Sequence, residues 1–324
     1  MKKPLIILAG PTAVGKTKLS IALAKAVDGE VISADSMQVY RKMNIGTAKI
    51  RPEEMQGIQH HLIDLLEPEE EFNVVLFAQY AKKACEDCYR RGKIPILVGG
   101  TGFYIQALLY DIDFTENDED KTYREELEQL AVEMGAAYLH EMLQKVDKKA
   151  SEEIHPNNIK RVIRALEFFE KSGKKISEHN EEQKQKESPY QYAYFVLNDD
   201  RSELYKRIDL RVDQMLEEGL VEEVGRLLNS GISRKAVSMQ GLGYKEIAAY
   251  LCGECSYDEA VYILKRDTRH FAKRQLTWFK REEEVIFLNR NEFHQNEEAI
   301  LNHVLTVLKE KEITTGEEQN EKSN

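Results

Sequence analysis

A glycine loop near the start of the chain carries the residue types that bind phosphate. It follows the apolar run 5–9, precedes a helical stretch at 18–25, and matches G-x-x-x-x-G-K-[ST] in that strand-loop-helix context. Its N–H groups can close around a phosphate, while Lys16 adds a positive charge and Thr17 can hold a Mg²⁺ ion. The pattern predicts a diphosphate- or nucleotide-binding loop made of Gly10, Pro11, Thr12, Ala13, Val14, Gly15, Lys16 and Thr17.

A carboxylate, Asp35, directly follows the next apolar run, 29–34. Ligands in open α/β sheets bind outside the carboxyl ends of the strands, so we expect Asp35 to lie near the glycine loop. The sequence leaves two roles open for it. Asp35 either faces the substrate or caps the N-terminus of a helix, a position that favours Asp.

A second glycine-rich turn, 99–102, follows a third apolar run at 94–98. It is either a further phosphate- or substrate-facing element or a plain tight turn. Two arginines, Arg207 and Arg211, have the i,i+4 spacing that places them on one helix face. They can clamp a phosphate, or they can pair with Glu203 and Asp213.

Basic and aromatic residues are interleaved near the C-terminus. This is the composition of a surface that follows phosphates and stacks bases. A second set of cations lies on a predicted helix at 157–171, where a solvated helix face is the alternative. The first set is Arg266, Arg269, His270, Lys273, Arg274, Lys280 and Arg281 with Phe271, Trp278 and Phe279; the second is Lys160, Arg161 and Arg164.

The composition is that of a helix-rich globular protein, with 42% hydrophobic and 32% charged residues among 324. No apolar run approaches the roughly 18 residues that span a membrane, and the first strand begins at once, leaving no room for a signal peptide. We therefore expect a cytoplasmic protein with no membrane partner. The net charge of −11 argues against a nucleic-acid partner, but a local basic face can act within an acidic protein.

Pairs of cysteines and histidines in the sequence are candidate metal ligands. Two C-x-x-C pairs, Cys85/Cys88 and Cys252/Cys255, could supply four thiolates to zinc. Their wide separation favours free thiols in a reducing compartment. The adjacent His60 and His61 lack i,i+4 spacing, which favours packing or hydrogen bonding over metal ligation.

Seven blocks of sequence, taken together, resemble the tRNA dimethylallyltransferase (tRNA isopentenyltransferase) family of bacterial type. They lie in the family's order between residues 5 and 290. Lys160 stands where glutamine is common, and 240–242 reads Gln-Gly-Leu where some relatives carry Arg-Cys-Val. The blocks are Gly10–Thr17, Asp35–Arg41, His60–Asp64, Gly99–Tyr104, Arg161–Glu167, Gly243–Lys245 and Lys273–Lys280.

The resemblance implies an α/β fold. Its P-loop NTPase-like core would have a parallel sheet and C-terminal helices, and would comprise residues 1–112 and 191–308. An all-helical, tRNA-gripping domain would be inserted at 113–190, and a disordered tail would follow at 309–324. We expect a monomer.

The resemblance also implies the reaction. A dimethylallyl group would pass from dimethylallyl diphosphate to the N6 amine of the adenosine 3′ of the anticodon in tRNA, with Mg²⁺ as cofactor. Asp35 would act as general base. Lys16, Thr17 with Mg²⁺, and Arg207 or Arg211 would stabilise the diphosphate leaving group. Thr101 would meet the base that is drawn out of the anticodon loop.

The resemblance also implies a set of tRNA contacts. They are spread along the chain from the end of the second strand to the C-terminal helices. They are Asp35, Ser36, Met37, Gln38, Thr101, Arg124, Lys160, Arg161, Arg164, Gln240, Gly243, Tyr244, Lys245, Lys273, Arg274, Gln275, Trp278 and Lys280.

Two other functions fit parts of the sequence. An ATP-dependent small-molecule or nucleoside kinase accounts for the glycine loop and the fold, but not for the two basic sets. A nucleotide-dependent RNA-binding switch accounts for the basic sets without covalent chemistry. No N-K-x-D guanine-reading motif is present to support a GTPase switch.

Overall fold

Six parallel strands form a single sheet in the order β3-β2-β4-β1-β5-β6. The computed structural model describes residues 2–113 and 122–314. The strands expected at 5–9, 29–34 and 94–98 are found, together with a two-residue strand, β3, that the sequence did not reveal. The predicted parallel α/β fold is confirmed. The strands are β1 Lys3–Ala9, β2 Gly29–Ala34, β3 His60–His61, β4 Ile94–Gly99, β5 Tyr190–Asn198 and β6 Val285–Asn289.

Helices connect these strands and make up most of the remaining described chain. Those of the first half are α1 Lys16–Ala26, α2 Val74–Arg90, α3 Gly102–Leu109, α4 Thr122–Met134, α5 Ala136–Val146, α6 Lys148–Glu153, α7 Ile159–Ser172 and α8 Ile176–Lys184. Those that follow β5 are α9 Arg201–Glu217, α10 Leu220–Asn229, α11 Tyr244–Leu251, α12 Tyr257–Phe279 and α13 Glu297–Glu310.

The centre of the sheet is buried from solvent. Residues 5–9 of β1 are fully buried, as expected for a parallel strand covered on both faces. The strand register aligns Ala9, Ala34 and Gly99 in one row at the carboxyl ends of β1, β2 and β4. The glycine loop, Asp35 and the second glycine turn therefore leave the sheet side by side.

The chain divides into two compact units, Met1–Leu109 with Pro189–Asn324, and Tyr110–Ser188. The first unit contains the sheet. The described part of the second contains α4–α8 and has its own apolar core, formed by Leu127, Leu139, Leu143, Ala150, Val162, Ile163, Ala165 and Leu166.

The predicted start of the disordered tail at 309 is wrong. Helix α13 continues to Glu310, and Leu308 and Ile313 are buried against the core of the sheet unit. The remainder of the predicted tail, 315–324, lies outside the described residues. Within the described chain, no helix combines the length and apolarity needed to cross a membrane.

The paired histidines form β3 beside Val31 and Ile32 of β2, before its carboxyl end where Asp35 follows. His61 Nε2 is 2.7 Å from a Glu30 carboxylate oxygen, and His60 Nδ1 is 2.9 Å from the Ile58 carbonyl oxygen. With Cys88, Glu30 and His61 form the one group in the described chain whose potential ligand atoms lie within 4.8 Å of one another. The Arg91 guanidinium already binds both Glu30 oxygens, at 3.0 and 2.6 Å. The hydrogen-bonding role is therefore the one observed.

The four cysteines do not converge. All are free; Cys85 and Cys88 are buried in α2, whereas Cys252 is exposed and Cys255 is half-buried. No group of four cysteines close enough to share a metal occurs among residues 2–113 and 122–314.

The close approach of β2 and β4 can be tested at Gly99. A Cβ added there would lie 2.3 Å from the Ala34 carbonyl oxygen. We expect Gly99→Ala to lower the free energy of unfolding by about 1–3 kcal/mol, as overpacking does. The matched control is Gly225→Ala inside α10, where the nearest atom is 3.9 Å away. This control should be stabilised by up to about 1 kcal/mol. Urea unfolding of both variants checks the pair, and a Gly99→Ala protein as stable as wild type would contradict the packing.

Candidate active site

The glycine loop closes tightly at the carboxyl end of β1. Gly10 has φ 149°, and a Cβ there would lie 2.4 Å from the Leu197 carbonyl oxygen; Gly15 has φ 101°. Both positions therefore require glycine. The Lys16 ammonium folds back over the loop and donates to the carbonyl oxygens of Gly10 and Pro11 at 2.9 and 2.8 Å. The loop thus holds its lysine at the place where a phosphate would bind.

Lys16 lies between a cation and a carboxylate. Burial, and then the neighbouring Arg211, lower the pKa of Lys16 to about 7, against the opposing attraction of Asp35. Burial raises the pKa of Asp35, against the hydrogen bonds from Met37 and Gln38 and the charge of Lys16. Three predicted site residues are therefore brought together: Lys16, Asp35 and Arg211.

Asp35 caps a turn and not a helix. Its Oδ1 accepts hydrogen bonds from the backbone N–H groups of Met37 at 2.8 Å and of Gln38 at 3.4 Å, and residues 36–39 form a bend and turn. The helix-cap alternative is therefore wrong about which element is capped. The capping hydrogen bonds exist, but they stabilise a turn and not a helix. Asp35 is half-buried, and no hydrogen bond to its second oxygen occurs among the described residues. That oxygen can face a substrate.

The two arginines of α9 have different surroundings. Arg207 forms an ion pair with the fully buried side chain of Asp199 at 2.9 Å, and it donates to Gln295 at 2.9 Å. It also reaches the Val14 carbonyl oxygen at 3.5 Å. Arg211 is half-buried and has no hydrogen bond or ion pair within residues 2–113 and 122–314. Its charge, after burial, contributes to the lowered pKa of Lys16.

The anions proposed as alternative partners for these arginines are paired elsewhere. Glu203 binds Lys206, and Asp213 binds Lys265. Arg211 is therefore a cation without a counter-ion in the described chain, beside a second cation, and this arrangement suits an incoming anion.

Thr17 is exposed in the first turn of α1, and its hydroxyl has no hydrogen-bond partner among the described residues. A free hydroxyl next to Lys16 is a suitable oxygen ligand for a hard cation. Mg²⁺ in such a place is held by one or two protein oxygens, with phosphate oxygens and waters completing its shell. The residues present fit that ion.

The second glycine turn is packed between two other segments. The Thr101 N–H lies 3.4 Å from the Ala34 carbonyl oxygen, so half-buried Thr101 begins α3 beside Asp35. A Cβ on Gly100 would lie 2.1 Å from Gln275 Nε2, and one on Gly102 would lie 2.2 Å from the Trp278 ring. The turn is thus more than a plain tight turn, because only glycine permits α12 to approach this closely.

Three of the predicted tRNA contacts have side chains committed elsewhere. Tyr244 is fully buried, with its hydroxyl 2.7 Å from Glu223, and Gln275 is buried with its amide bonded to backbone groups of Thr12 and Gly100. For these two, the side chains are bonded within the protein, and tRNA binding stays a prediction. Gln38 is half-buried, and its amide bonds to Ser33 and to the carbonyl oxygens of residues 47 and 48.

The other predicted contacts near this edge differ in exposure. Ser36 and Met37 are half-buried, Gly243 is a buried turn at the start of α11, and Gln240 and Lys245 are exposed. Lys245 lies 3.3 Å from Glu246.

Helix α12 presents a basic groove of about 370 Å³ on one face. Its residues recur at helical spacing, and Lys273 and Arg274 are exposed without an ion pair to any described residue. Lys280 is exposed at the end of the same helix. The groove is lined by His270, Lys273, Arg274, Thr277, Trp278 and Arg281.

The second unit carries its own cations. Lys160, Arg161 and Arg164 are exposed on α7 and form no ion pair within the described ranges. Arg124, in contrast, binds both oxygens of Glu167 at 3.0 and 2.7 Å. Its guanidinium is therefore bound within the helices of its own unit.

The sequence reasoning missed three residues that hold the site. Asp199 follows β5, and Arg290 follows β6, where its guanidinium reaches the Val14 carbonyl oxygen at 3.5 Å. The strand-end argument that found Asp35 would have found both. Buried Glu223 accepts the N–H groups of Asn44, Ile45 and Gly46 and the Tyr244 hydroxyl. No sequence pattern marks it.

The chain is similar to known proteins over most of its length. A family model described as IPP transferase matches residues 38–282, and one described as isopentenyl transferase matches residues 3–70. The tRNA dimethylallyltransferase of Lachnoclostridium phytofermentans is 65% identical over 96% of this chain and 99% of its own.

Two solved structures are also similar. The tRNA isopentenylpyrophosphate transferase from Bacillus halodurans is 45% identical, with a TM-score of 0.72 over 96% of this chain and 98% of that one. A eukaryotic dimethylallyltransferase acting on tRNA is 31% identical, with a TM-score of 0.83 over 98% of this chain and 82% of that one.

The lowered pKa of Lys16 predicts proton uptake when a diphosphate binds. At pH 8 the free protein holds Lys16 mostly neutral, since its pKa is about 7, and an adjacent polyanion favours its protonated form. Pyrophosphate binding at pH 8 should therefore take up more protons in wild type than in Lys16→Met, by a large fraction of one proton. Calorimetry in buffers of different ionisation enthalpy measures the number of protons taken up on binding. Subtracting the uptake of the variant from that of wild type removes the contribution of pyrophosphate's own protonation. Equal uptake by the two proteins would contradict a neutral Lys16.

Proposed function

The chain belongs to the tRNA dimethylallyltransferase (IPP transferase) family, and from this premise we propose that it prenylates tRNA using dimethylallyl diphosphate. The acceptor is the N6 amine of the adenosine 3′ of the anticodon. The observation that carries the donor assignment is Arg211, which lies near Lys16 with no counter-ion among the described residues. A diphosphate placed there would give Arg211 the counter-ion that it lacks among the described residues, and would add to the attraction of Asp35 for Lys16. The kinase and the non-enzymatic switch have no comparable support.

The reaction balances with the groups at hand. The C1–O bond of the donor breaks, a bond forms between C1 and N6, and one proton leaves the amine. The amine is a poor nucleophile because its lone pair is delocalised into the ring. A carboxylate that orients the amine and accepts its proton therefore lowers the barrier. Asp35 would take this role. One of its oxygens accepts a hydrogen bond from the turn, and burial raises its pKa, which would make it a stronger base.

The diphosphate gains negative charge at its bridging oxygen as the C–O bond breaks. Donors fixed in advance at that position contribute most to such stabilisation. The glycine loop, Lys16 and Arg211 supply them. Mg²⁺, when bound to Thr17 and the phosphates, would add Lewis-acid stabilisation. Thr101, beside Asp35 at the start of α3, would contact the acceptor base.

RNA binding is supported separately in each unit. The groove on α12 combines Lys273, Arg274 and Arg281 with the Trp278 ring, which suits phosphates and an unstacked base. The exposed cations of α7 suit phosphates alone.

The direct experiment is incubation with dimethylallyl diphosphate, Mg²⁺ and unmodified tRNA, followed by nucleoside mass analysis. We expect one dimethylallyl group on the adenosine 3′ of the anticodon, and none when that adenosine is replaced by guanosine. An unmodified adenosine would overturn the proposal.

Asp35→Asn should slow the chemical step much more than it weakens binding. Asn retains an oxygen for the N–H groups of Met37 and Gln38 but cannot accept the amine proton. General-base contributions are about 10²- to 10⁴-fold, so single-turnover prenylation should slow by that factor while pyrophosphate affinity stays nearly constant. A near-normal single-turnover rate would remove Asp35 as the base.

Arg207→Gln and Arg211→Gln should have opposite effects. Arg211→Gln removes an unpaired cation, so it should leave stability nearly unchanged and weaken pyrophosphate binding. A charge-assisted hydrogen bond contributes about 1.5–3 kcal/mol, which corresponds to roughly 10- to 150-fold in affinity. Arg207→Gln strips buried Asp199 of its close partner, so it should destabilise the protein and change affinity little.

Urea unfolding and calorimetric titration of the two arginine variants check these effects. The reverse pattern, with Arg207→Gln losing affinity and Arg211→Gln losing stability, would assign the diphosphate to Arg207.

A further inference from the structure

Gln275 on α12 forms hydrogen bonds with both the glycine loop and the second glycine turn. Its Nε2 donates to the Gly100 carbonyl oxygen at 2.9 Å, and its Oε1 accepts from the Thr12 N–H at 3.0 Å. One buried amide on α12 therefore holds the glycine loop and the second glycine turn at a fixed separation.

The backbone of the second glycine turn packs closely against this amide. A Cβ on Gly100 would lie 2.1 Å from Gln275 Nε2 and 3.2 Å from the Gly10 carbonyl oxygen. Trp278, one turn further along α12, lies against Gly102 in the same way. Helix α12 is therefore in close contact with the second glycine turn, and the Gln275 amide links it to the glycine loop as well.

The solvent-facing side of α12 is the basic groove. Lys273 and Arg274 precede Gln275 directly in sequence, and Trp278 both lines the groove and touches Gly102. A ligand in the groove thus acts on the helix that positions Thr12 in the glycine loop.

We propose that Gln275 is a positioning residue that couples RNA binding on α12 to diphosphate binding in the glycine loop. The inference rests on the proposed function for the identity of the two ligands. RNA held against Lys273, Arg274 and Trp278 fixes α12, and the Gln275 amide transmits that position to the Thr12 N–H and the Gly100 carbonyl. Since coupling between two ligands is reciprocal, diphosphate raises RNA affinity by the same factor.

The test measures pyrophosphate affinity with and without a saturating, unmodified anticodon stem-loop RNA. The ratio of the two dissociation constants is the coupling factor, and allosteric couplings are typically about 5- to 150-fold. We expect a factor in that range for wild type. Gln275→Met, which keeps the volume but lacks both hydrogen bonds, should bring the factor to within about twofold of one while RNA affinity changes little.

A second variant covers the case in which Gln275→Met folds poorly, and a matched control tests whether losing any glutamine-to-backbone hydrogen bond has the same effect. Gln275→Asn, which is too short to span both partners, should give an intermediate factor even if Gln275→Met folds poorly. Gln191→Met removes another glutamine-to-backbone hydrogen bond, to the Lys311 carbonyl oxygen at 2.8 Å, at the amino end of β5. It should retain the full factor.

An unchanged coupling factor in both Gln275 variants, or a factor of one in wild type, would overturn the inference. A merely structural role would lower stability and leave the factor intact. The measurement uses pyrophosphate and RNA only, so its outcome does not depend on whether prenylation occurs. Failure of the proposed function would instead appear as unmodified tRNA in the nucleoside analysis.

Discussion

Two cations, Lys16 and Arg211, lie near each other beside the glycine loop, and no described carboxylate forms an ion pair with Arg211. Like charges in a partly desolvated site repel, and here the repulsion and the burial are visible in the lowered pKa of Lys16. A diphosphate reverses the sign of this interaction. The site is thus arranged for a ligand with more negative charge than Asp35 alone provides, and the remaining features serve to hold that arrangement.

This arrangement is supported by groups that contact the backbone of the glycine loop. Arg207 and Arg290 reach the Val14 carbonyl oxygen from one side, and both are held by Asp199 and Gln295. From another side, Gln275 holds Thr12. These contacts order the backbone of the loop before a ligand binds. Ligand binding therefore does not carry the entropic cost of ordering the loop. Asp35 is fixed in the same sense, because a turn holds one of its oxygens and leaves the other for the substrate.

Much of this could be predicted from the sequence because parallel strands impose their own geometry. Short apolar runs followed by Gly10, Asp35 and Gly99 were sufficient to predict three segments meeting at one edge of a sheet. Spacing alone could not separate Arg207 from Arg211, since both lie on one face of α9 and the difference is the buried Asp199. The same limit applies to Tyr244 and Gln275. A tyrosine near glycines and a glutamine among cations have the composition of an RNA surface, but long-range contacts with Glu223 and the glycine loop bury them.

The central claim is that Lys16 and Arg211 together hold the diphosphate, and a crystal structure of the protein with bound pyrophosphate tests it most directly. The account predicts that the anion lies in the glycine loop between these two side chains. The Lys16 ammonium should leave the carbonyl oxygens of Gly10 and Pro11, while Arg207 stays paired with Asp199. An anion bound by Arg207 after release of Asp199, or one that leaves Lys16 on the loop carbonyls, would contradict the account.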